Sequence, residues 1–254
     1  MNTSFLNREK PLLTNMIQTY SAEQAIITAT NALYEGAEAF GLQGCYLKPE
    51  YRTPDTYRKI FAAMKSRPIY VTSYRRRYNE GFSDEACMEY LLELLDAGAT
   101  LGDVMGDTYD PTPGELTYNS DAIDRQKELI ERIHFMGKEV LMSSHVHEFR
   151  SADQVLEIAM AHQDRGADIA KIVTGAHSEE QQLENLRITN LLKKELRIPF
   201  LFLSNGSHCG LHRVIGTALG NSMCLCAYQH DELSTKSQPV LRVARQILDG
   251  MRYL

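Results

Sequence analysis

The chain has 254 residues, of which 43% are hydrophobic and 24% are charged, a composition typical of a globular protein with a sizeable core. With 27 Lys and Arg against 33 Asp and Glu, the formal net charge is −6, and the only basic run is Arg75–Arg77, so we expect no nucleic-acid partner. No apolar run approaches the roughly 20 residues that span a bilayer, and the N-terminus lacks a signal peptide's apolar stretch, so we expect a cytoplasmic protein without membrane contact.

Eight short apolar segments alternate with amphipathic ones along the chain. The predicted strands are residues 11–17, 39–44, 69–74, 101–106, 139–145, 169–175, 199–205 and 222–228. Four of the amphipathic segments begin at a serine that can cap a helix: Ser21, Ser83, Ser151 and Ser178. Four end on a glycine that can close one: Gly36, Gly98, Gly137 and Gly166.

Eight strand–helix units in about 250 residues favour a (β/α)₈ TIM barrel, as a single domain over residues 1–254. The main alternative is a doubly wound sheet, which usually carries a glycine-rich turn after its first strand. Here that turn reads "QTYSAEQ" and contains no glycine. In a TIM barrel the active site lies at the C-terminal ends of the strands, so polar residues there are the candidates.

The sixth predicted strand carries a lysine among apolar residues. Lys171 alternates with Ile169 and Val173, so the three side chains share one face. Burying an ammonium without a partner is costly. Such a lysine extends to the rim, pairs with a carboxylate, or serves as the neutral amine of Schiff-base chemistry. The residues alone leave these interpretations open.

The fifth predicted strand ends in "SSHVHEF", one strand before Lys171. Neighbouring strands lie about 4.8 Å apart, so His145 could reach that lysine and act as its proton shuttle. An alternative is a metal site using His145 and His147, with His177 as a candidate third ligand, as in metal-dependent barrel hydrolases. A third interpretation is one core histidine and one exposed loop histidine.

Two polar clusters follow the last two strands. "SNGSHCGLHRVIG" (204–216) opens a helix, where backbone N–H groups and Arg213 could bind an anion. Taken alone, Arg213 could equally be an exposed helical arginine. In "DELSTKSQPV" (231–240), Ser234 and Gln238 are candidate hydrogen-bond donors. The five cysteines show no zinc-like spacing, and we interpret all of them as reduced and structural.

Together these segments resemble type I 3-dehydroquinate dehydratase, the Schiff-base barrel enzyme of the shikimate pathway. The resemblance covers about residues 66–245 and places the imine-forming lysine of the family on Lys171, in "GADIAKIV". It places the proton-transferring histidine on His145, in "VLMSSHVHEF", and the carboxylate-binding arginine on Arg213. Ser234 and Gln238 match the two ends of the family's Ser-Ala-Pro-Gly-Gln loop. The arginine at the end of strand three falls on Arg75, with Arg76 as the second choice, in "SYRRRYNEG".

The sequence departs from the family at three places. Gly41 and Gln43 stand where the family carries Glu-x-Arg on strand two, which grips ring hydroxyls. Met105 stands at the strand-four position expected to hold the glutamate that orients the catalytic histidine, so His145 is expected to lack its carboxylate. The Ser-Arg pair of the family has become His212-Arg213.

The resemblance implies a cofactor-free, metal-free lyase that removes water from a cyclic hydroxy-keto carboxylate such as 3-dehydroquinate, with a homodimer as one possible assembly. The departures leave a divergent imine-forming aldolase or dehydratase for another keto acid as an alternative. A metal-dependent hydrolase and a non-catalytic binding protein are the other two.

Overall fold

The computed structural model describes residues 3–251, in which eight strands alternate with eight helices. The strands are β1 Leu12–Ile17, β2 Ala39–Gln43, β3 Ile69–Thr72, β4 Leu101–Met105, β5 Glu139–His145, β6 Ile169–Gly175, β7 Phe200–Asn205 and β8 Met223–Ala227. The helices are α1 Ala22–Tyr34, α2 Pro54–Ala63, α3 Asp84–Asp96, α4 Ser120–Phe135, α5 Ala152–Asp164, α6 Glu179–Glu195, α7 Gly210–Leu219 and α8 Leu241–Gly250.

The strands form one parallel eight-stranded sheet in the order β7-β6-β5-β4-β3-β2-β1-β8. A sheet in which every strand is followed by a helix and β8 returns to β1 is a nearly closed barrel, so the predicted TIM barrel is confirmed. All eight predicted strands are present, and the largest difference is that β3 ends at Thr72 rather than at residue 74.

Two apolar layers flank the barrel wall. Side chains that alternate along the strands fill the interior, among them Leu101, Ile169 and Val173. The opposite faces pack against the surrounding helices in larger clusters. Lys171 shares the inward face of β6, as its alternation with Ile169 and Val173 predicts, and is only 4% exposed.

The predicted helix ends are confirmed. Ser21, Ser83, Ser151 and Ser178 each accept a hydrogen bond from a backbone N–H in the first turn of their helices. Behind α3, Gly98 adopts φ 128°, in the left-handed region that residues with a Cβ rarely enter. These local signals set where each helix meets the next strand.

The barrel closes between β7 and β8 through a side chain as well as the backbone. The backbone N–H of Ser222 donates to the carbonyl of Phe200 at 2.8 Å. Beside it, the amide of Asn221 accepts from the Phe202 N–H at 2.7 Å and donates to the Phe202 carbonyl at 2.9 Å. Asn221 therefore satisfies both backbone groups of Phe202, as a neighbouring strand would.

Two further sequence predictions concern the cysteines and membrane-spanning segments. All five cysteines are free and buried, as predicted. Within residues 3–251, no helix is long and apolar enough to cross a membrane.

Candidate active site

A cavity of about 100 Å³ lies at the C-terminal ends of the strands, where the fold places active sites. Of the six predicted site residues, four line it: Lys171, His145, Arg213 and Gln238. Its walls also include side chains that sequence analysis did not select, above all Tyr70 and Tyr74.

Lys171 is held by two tyrosines and an aspartate. Its Nζ donates to the hydroxyl oxygen of Tyr74 at 2.7 Å and to that of Tyr70 at 3.0 Å. The Oδ2 of Asp103 lies 3.2 Å from the same nitrogen. Both tyrosine hydroxyls in turn donate to Oδ2 of Asp103, the Tyr74 hydroxyl at 2.5 Å. Ser143 completes the group by donating to Oδ1 of Asp103 at 2.5 Å.

Burial and charge act in opposite directions on this pair. Burial lowers the pKa of Lys171, and the attraction of Asp103 opposes that shift only in part. Burial alone would raise the pKa of Asp103, but its attraction to Lys171 holds that pKa below the ordinary value. Burial also raises the pKa of both tyrosines well above the usual range, so their hydroxyls stay neutral donors.

His145 has a carboxylate partner, which corrects the expectation drawn from Met105. Oε2 of Glu115 lies 2.6 Å from Nδ1 of His145 and also accepts the His145 backbone N–H at 3.0 Å. The contact fixes the ring and leaves Nε2 as the second, separate nitrogen. Burial lowers the pKa of His145, repulsion from Lys171 adds to this, and Glu115 opposes it. Met105 instead packs against Tyr74 and two other buried side chains.

Glu115 belongs to the loop between β4 and α4, and backbone contacts place it. Gly106 pairs with Leu116 as an isolated parallel bridge, which folds the loop back over the end of β4. The Ser144 hydroxyl donates to the Glu115 carbonyl at 2.6 Å. The buried guanidinium of Arg165 donates to the carbonyls of Gly106 and Thr117 on either side. The carboxylate therefore reaches His145 from a folded segment with several anchors.

Arg76, rather than Arg75, lies at the cavity, which corrects the first choice made from the sequence. The Arg75 guanidinium pairs with Asp84 and with Asp107, the latter at 2.9 Å, and does not line the cavity. Arg76 does line it, lies over the Tyr74 ring at 4.9 Å and donates to Oε1 of Gln43 at 2.8 Å. The chain turns between the two residues, so their side chains diverge.

Arg213 is buried against the wall of the cavity. Its Nε donates to the Ser204 carbonyl at 2.5 Å, and Nη2 donates to Oδ1 of Asn205. Within residues 3–251 no acidic side chain pairs with it, and burial lowers its pKa to about 10. A buried guanidinium that lacks a carboxylate partner suits an anionic group brought by a ligand.

The loop after β8 contributes Gln238 but not Ser234. Gln238 is 4% exposed, and its Oε1 has no hydrogen-bond partner among the described residues. Ser234 instead closes a turn, accepting from the Asp231 N–H at 2.9 Å, and the structure does not bring it to the wall of the cavity. Thr235 lines the cavity next to it and is held by Gln18 at 3.1 Å.

At the two strand-two positions that depart from the family, Gly41 and Gln43, other side chains make the local contacts. A Cβ added to Gly41 would lie 2.2 Å from Sδ of Met16, so the methionine occupies the space above the glycine. Gln43 accepts from Arg76, as described above. The wall at β2 is therefore apolar beside Met16 and polar but uncharged at Gln43.

The histidines considered for a metal site do not converge. Nδ1 of His145 is taken by Glu115, and Nε2 of His177 bonds the backbone carbonyl of His147 at 3.1 Å. Across residues 3–251, no group of three or more His, Cys, Asp or Glu side chains could hold a metal ion.

Sequence reasoning missed Glu115 and the tyrosine pair. Glu115 lies in "PTPGELTYN", a loop without periodicity, and no local pattern aims it at His145. Asp103 did carry a signal, because it alternates with Leu101 on the inward face of β4. A carboxylate on that face, two strands from a buried lysine, could have been predicted to pair with it.

Comparison with known proteins by sequence gives one family. A sequence model of the type I 3-dehydroquinase family matches residues 18–253. A 3-dehydroquinate dehydratase of Clostridium kluyveri is 30% identical over 168 residues, 65% of this chain and 62% of the relative, so the match spans less than two thirds of that relative. One of Aromatoleum aromaticum is 27% identical over 100 residues, 39% of this chain and 38% of the relative.

Comparison by structure agrees with the fold. The 3-dehydroquinate dehydratase of Geobacillus kaustophilus superposes with a TM-score of 0.79 at 17% identity, over 96% of this chain and 93% of that one. The type I enzyme of Clostridium difficile, solved with covalently modified comenic acid, gives 0.80 at 16% identity over the same shares. At such identities the likeness extends to the barrel alone.

Proposed function

The chain belongs to the type I 3-dehydroquinase family, and on that premise we propose that it is an imine-forming dehydratase of a cyclic hydroxy-keto carboxylate such as 3-dehydroquinate. The substrate class comes from the curated relatives, which are named 3-dehydroquinate dehydratases. The family resemblance stated from the sequence is confirmed by the match to the family model.

In the proposed reaction the neutral amine of Lys171 attacks the substrate ketone, and loss of water gives a protonated imine. The imine withdraws electrons from the neighbouring carbon, so a proton there becomes acidic. His145, oriented by Glu115, removes that proton and passes it to the departing β-hydroxyl, which leaves as water. Hydrolysis of the imine then releases the product and restores the amine.

Three side chains are proposed to hold the substrate. Arg213 binds its carboxylate, since the guanidinium is buried and pairs with no acidic side chain of the described chain. Gln238 and Arg76 reach the cavity from opposite loops and donate to ring oxygens or to the same carboxylate. No cofactor takes part in these steps, and the proposed partner is the small-molecule substrate itself.

The single observation that carries this proposal is a buried lysine beside a carboxylate-oriented histidine, both on one cavity with a buried arginine. A metal-dependent hydrolase is not supported, because the described histidines do not converge. A non-catalytic binding protein would have no need of the buried amine, which costs stability. The homodimer stays a prediction, which a mass near twice 28.8 kDa by light scattering would support.

The test is imine trapping. Borohydride reduction with 3-dehydroquinate should add the substrate's mass to the peptide that contains Lys171. Lys171→Met keeps roughly the same volume and should abolish both adduct and turnover. Lys138→Met, which removes another partly buried lysine whose Nζ bonds the Ala99 carbonyl, is the matched control and should keep both. An adduct on a different lysine would contradict the proposal.

A further inference from the structure

The proton of a buried Lys171 must go somewhere before the amine can attack a carbonyl. An ammonium has no lone pair, and Lys171 is 4% exposed, so bulk water is a poor acceptor for that proton. The groups whose charge or polarity bears on Nζ come from β3, β4, β5 and two loops: Tyr70, Tyr74, Asp103, His145, Arg76 and Glu115.

Asp103 is the acceptor best placed among them. Its Oδ2 lies 3.2 Å from Nζ, and the Tyr74 hydroxyl joins the same two atoms at 2.7 and 2.5 Å. No hydrogen bond in the described structure joins His145 to Lys171; His145 is held by Glu115, and its ring meets that of Tyr74 edge-on at 5.4 Å between centroids. The lysine is thus coupled by hydrogen bonds to Asp103 and to the tyrosines.

We propose that Asp103 stores the Lys171 proton during imine formation and that Tyr74 relays it. This assignment rests on the proposed function. Nζ passes a proton to the Tyr74 oxygen while the Tyr74 O–H passes its own to Oδ2 of Asp103, leaving a neutral amine, a neutral tyrosine and a neutral acid. The positive charge of Lys171 and the negative charge of Asp103 are neutralised together, so the net charge of Lys171, Tyr74 and Asp103 does not change.

The stored proton is used when the carbinolamine loses water. Attack of the amine places negative charge on the former carbonyl oxygen, which takes a proton from the new N–H₂ group. Tyr74, which lines the cavity, then donates its O–H to the departing hydroxyl, and Asp103 reprotonates Tyr74. The C–O bond breaks, water leaves, and the positive imine faces the Asp103 carboxylate. Protons and charge balance across the sequence, and His145 is kept for the later carbon–hydrogen step.

Tyr70 contacts the same two partners and also lines the cavity, but less of its side chain is accessible there. It is 0% exposed, against 7% for Tyr74, and its hydroxyl is farther from Nζ, at 3.0 Å. Tyr70 therefore positions Lys171 and Asp103. The tyrosine pair thus offers two substitutions that remove the same chemical group, of which only one interrupts the relay.

The experiment measures the rate of imine formation. Enzyme is mixed with 3-dehydroquinate and quenched with borohydride after milliseconds, and the fraction of protein that carries the reduced adduct is determined by mass spectrometry. Asp103→Asn should slow adduct formation by about 10²–10⁴-fold, the usual contribution of a general acid–base group. If Asp103 only stabilises the charge of Lys171, the opposite result is expected. Without the carboxylate the pKa of Lys171 falls, more free amine is present at pH 7, and the adduct forms as fast as in the wild type or faster. That result would overturn the relay.

The tyrosine variants test the proposed relay even if Asp103→Asn does not fold. Tyr74→Phe should slow adduct formation at least about tenfold, and Tyr70→Phe by clearly less. Equal loss in both would overturn the assignment to Tyr74. If the wild type forms no adduct, the proposed function fails and the relay with it; if the wild type forms one and Tyr74→Phe matches its rate, the relay alone fails.

Discussion

At the scale of single residues, the main feature of the candidate site is a buried pair of opposite charges, Lys171 and Asp103. Asp103 and Lys171 are both almost inaccessible, and an ion pair in such a place survives only when its remaining hydrogen-bonding positions are satisfied. Tyr70, Tyr74 and Ser143 satisfy them. The arrangement holds a charged amine ready without exposing it to water.

Glu115 supplies what Met105 was expected to have removed. Two departures in the sequence motivated the alternative of another keto acid as substrate: Gly41 and Gln43 in place of the strand-two Glu-x-Arg, and a histidine expected to lack its carboxylate. The second does not hold, because Glu115 bonds His145 at 2.6 Å. The altered-substrate alternative now depends on strand two alone, where Met16 covers Gly41.

Substituting Glu115→Gln should lower kcat by about 10²–10⁴-fold with little change in KM, since the group acts through His145 and not on substrate. The carboxylate raises the pKa of His145 against the effect of burial, so its loss should lower that pKa further. A base with a lower pKa stays unprotonated to lower pH, so the acid limb of the kcat profile should move to lower pH.

The control for this substitution is Glu148→Gln, which changes an exposed carboxylate near the same rim. Both variants are measured as steady-state rates on 3-dehydroquinate across pH. An unshifted acid limb in Glu115→Gln would show that Glu115 does not act through His145.

At the scale of elements, the β4–α4 loop decides where the Glu115 carboxylate lies. Arg75 ties the loop to α3, because it pairs with Asp84 at the start of that helix and with Asp107 in the loop. Asp107 in turn accepts the Thr112 N–H at 2.8 Å, three residues before Glu115. Arg75 is thus a positioning residue, although the sequence suggested a substrate contact.

Arg75→Gln should leave Asp107 buried without its counter-charge, and we expect a loss of about 1–3 kcal/mol in the free energy of unfolding. The loosened loop should also misplace His145 and lower kcat by roughly ten- to a hundredfold. Arg58→Gln breaks an Arg–Asp contact of similar length, 2.8 Å, between exposed side chains on α2 and should leave both quantities within error. Urea denaturation and steady-state kinetics measure the two effects. A larger rise in KM than fall in kcat would restore Arg75 as a substrate contact.

The packing of α7 on β7 predicts how stability depends on pH. His212 is buried between the Ser204 hydroxyl and that of Thr189, and burial lowers its pKa to about 3. In the unfolded chain its pKa is about 6.5. Because the unfolded state takes up the proton first, this stabilisation is complete above about pH 6.5 and is lost as the pH falls towards 3.

Between pH 7 and pH 5 the loss from His212 alone should be about 2 kcal/mol in the free energy of unfolding. His212→Asn carries no titrating group, so its stability should fall by about 2 kcal/mol less than that of the wild type over the same interval. The exposed His147→Asn variant serves as the comparison and should follow the wild-type slope. Urea titrations at the two pH values measure the difference, and parallel slopes for His212→Asn and wild type would refute the prediction.

At the scale of the whole molecule, the barrel depends on its closure between β7 and β8. The Asn221 side chain bonds both backbone groups of Phe202 and is only 2% exposed. The geometry of the candidate site depends on this joint, since Arg213 follows β7 and the loop with Gln238 follows β8.

Asn221→Ala should lower the free energy of unfolding by about 2–6 kcal/mol, because it leaves two buried backbone groups unsatisfied, each worth about 1–3 kcal/mol. Asn190→Ala, at an exposed position of α6, should change stability by less than about 0.5 kcal/mol. Urea denaturation of both variants tests this. A small effect at Asn221 would mean that the strands close without its side chain.

The sequence by itself determined the barrel, its eight strands, its serine caps and glycine ends, and the candidates Lys171, His145 and Arg213. These follow from patterns that repeat within a few residues, because alternation and capping depend on local backbone geometry. The structure alone decided for Arg76 over Arg75, placed Thr235 where Ser234 was expected, and joined Glu115 to His145 across 30 residues. It also joined Lys171 to Asp103 across 68 residues and to Tyr74 across 97. Contacts of that separation depend on how the chain closes in space. Among these partners Asp103 has a periodic signal, its alternation with Leu101 on β4, whereas Glu115 lies in a loop without periodicity.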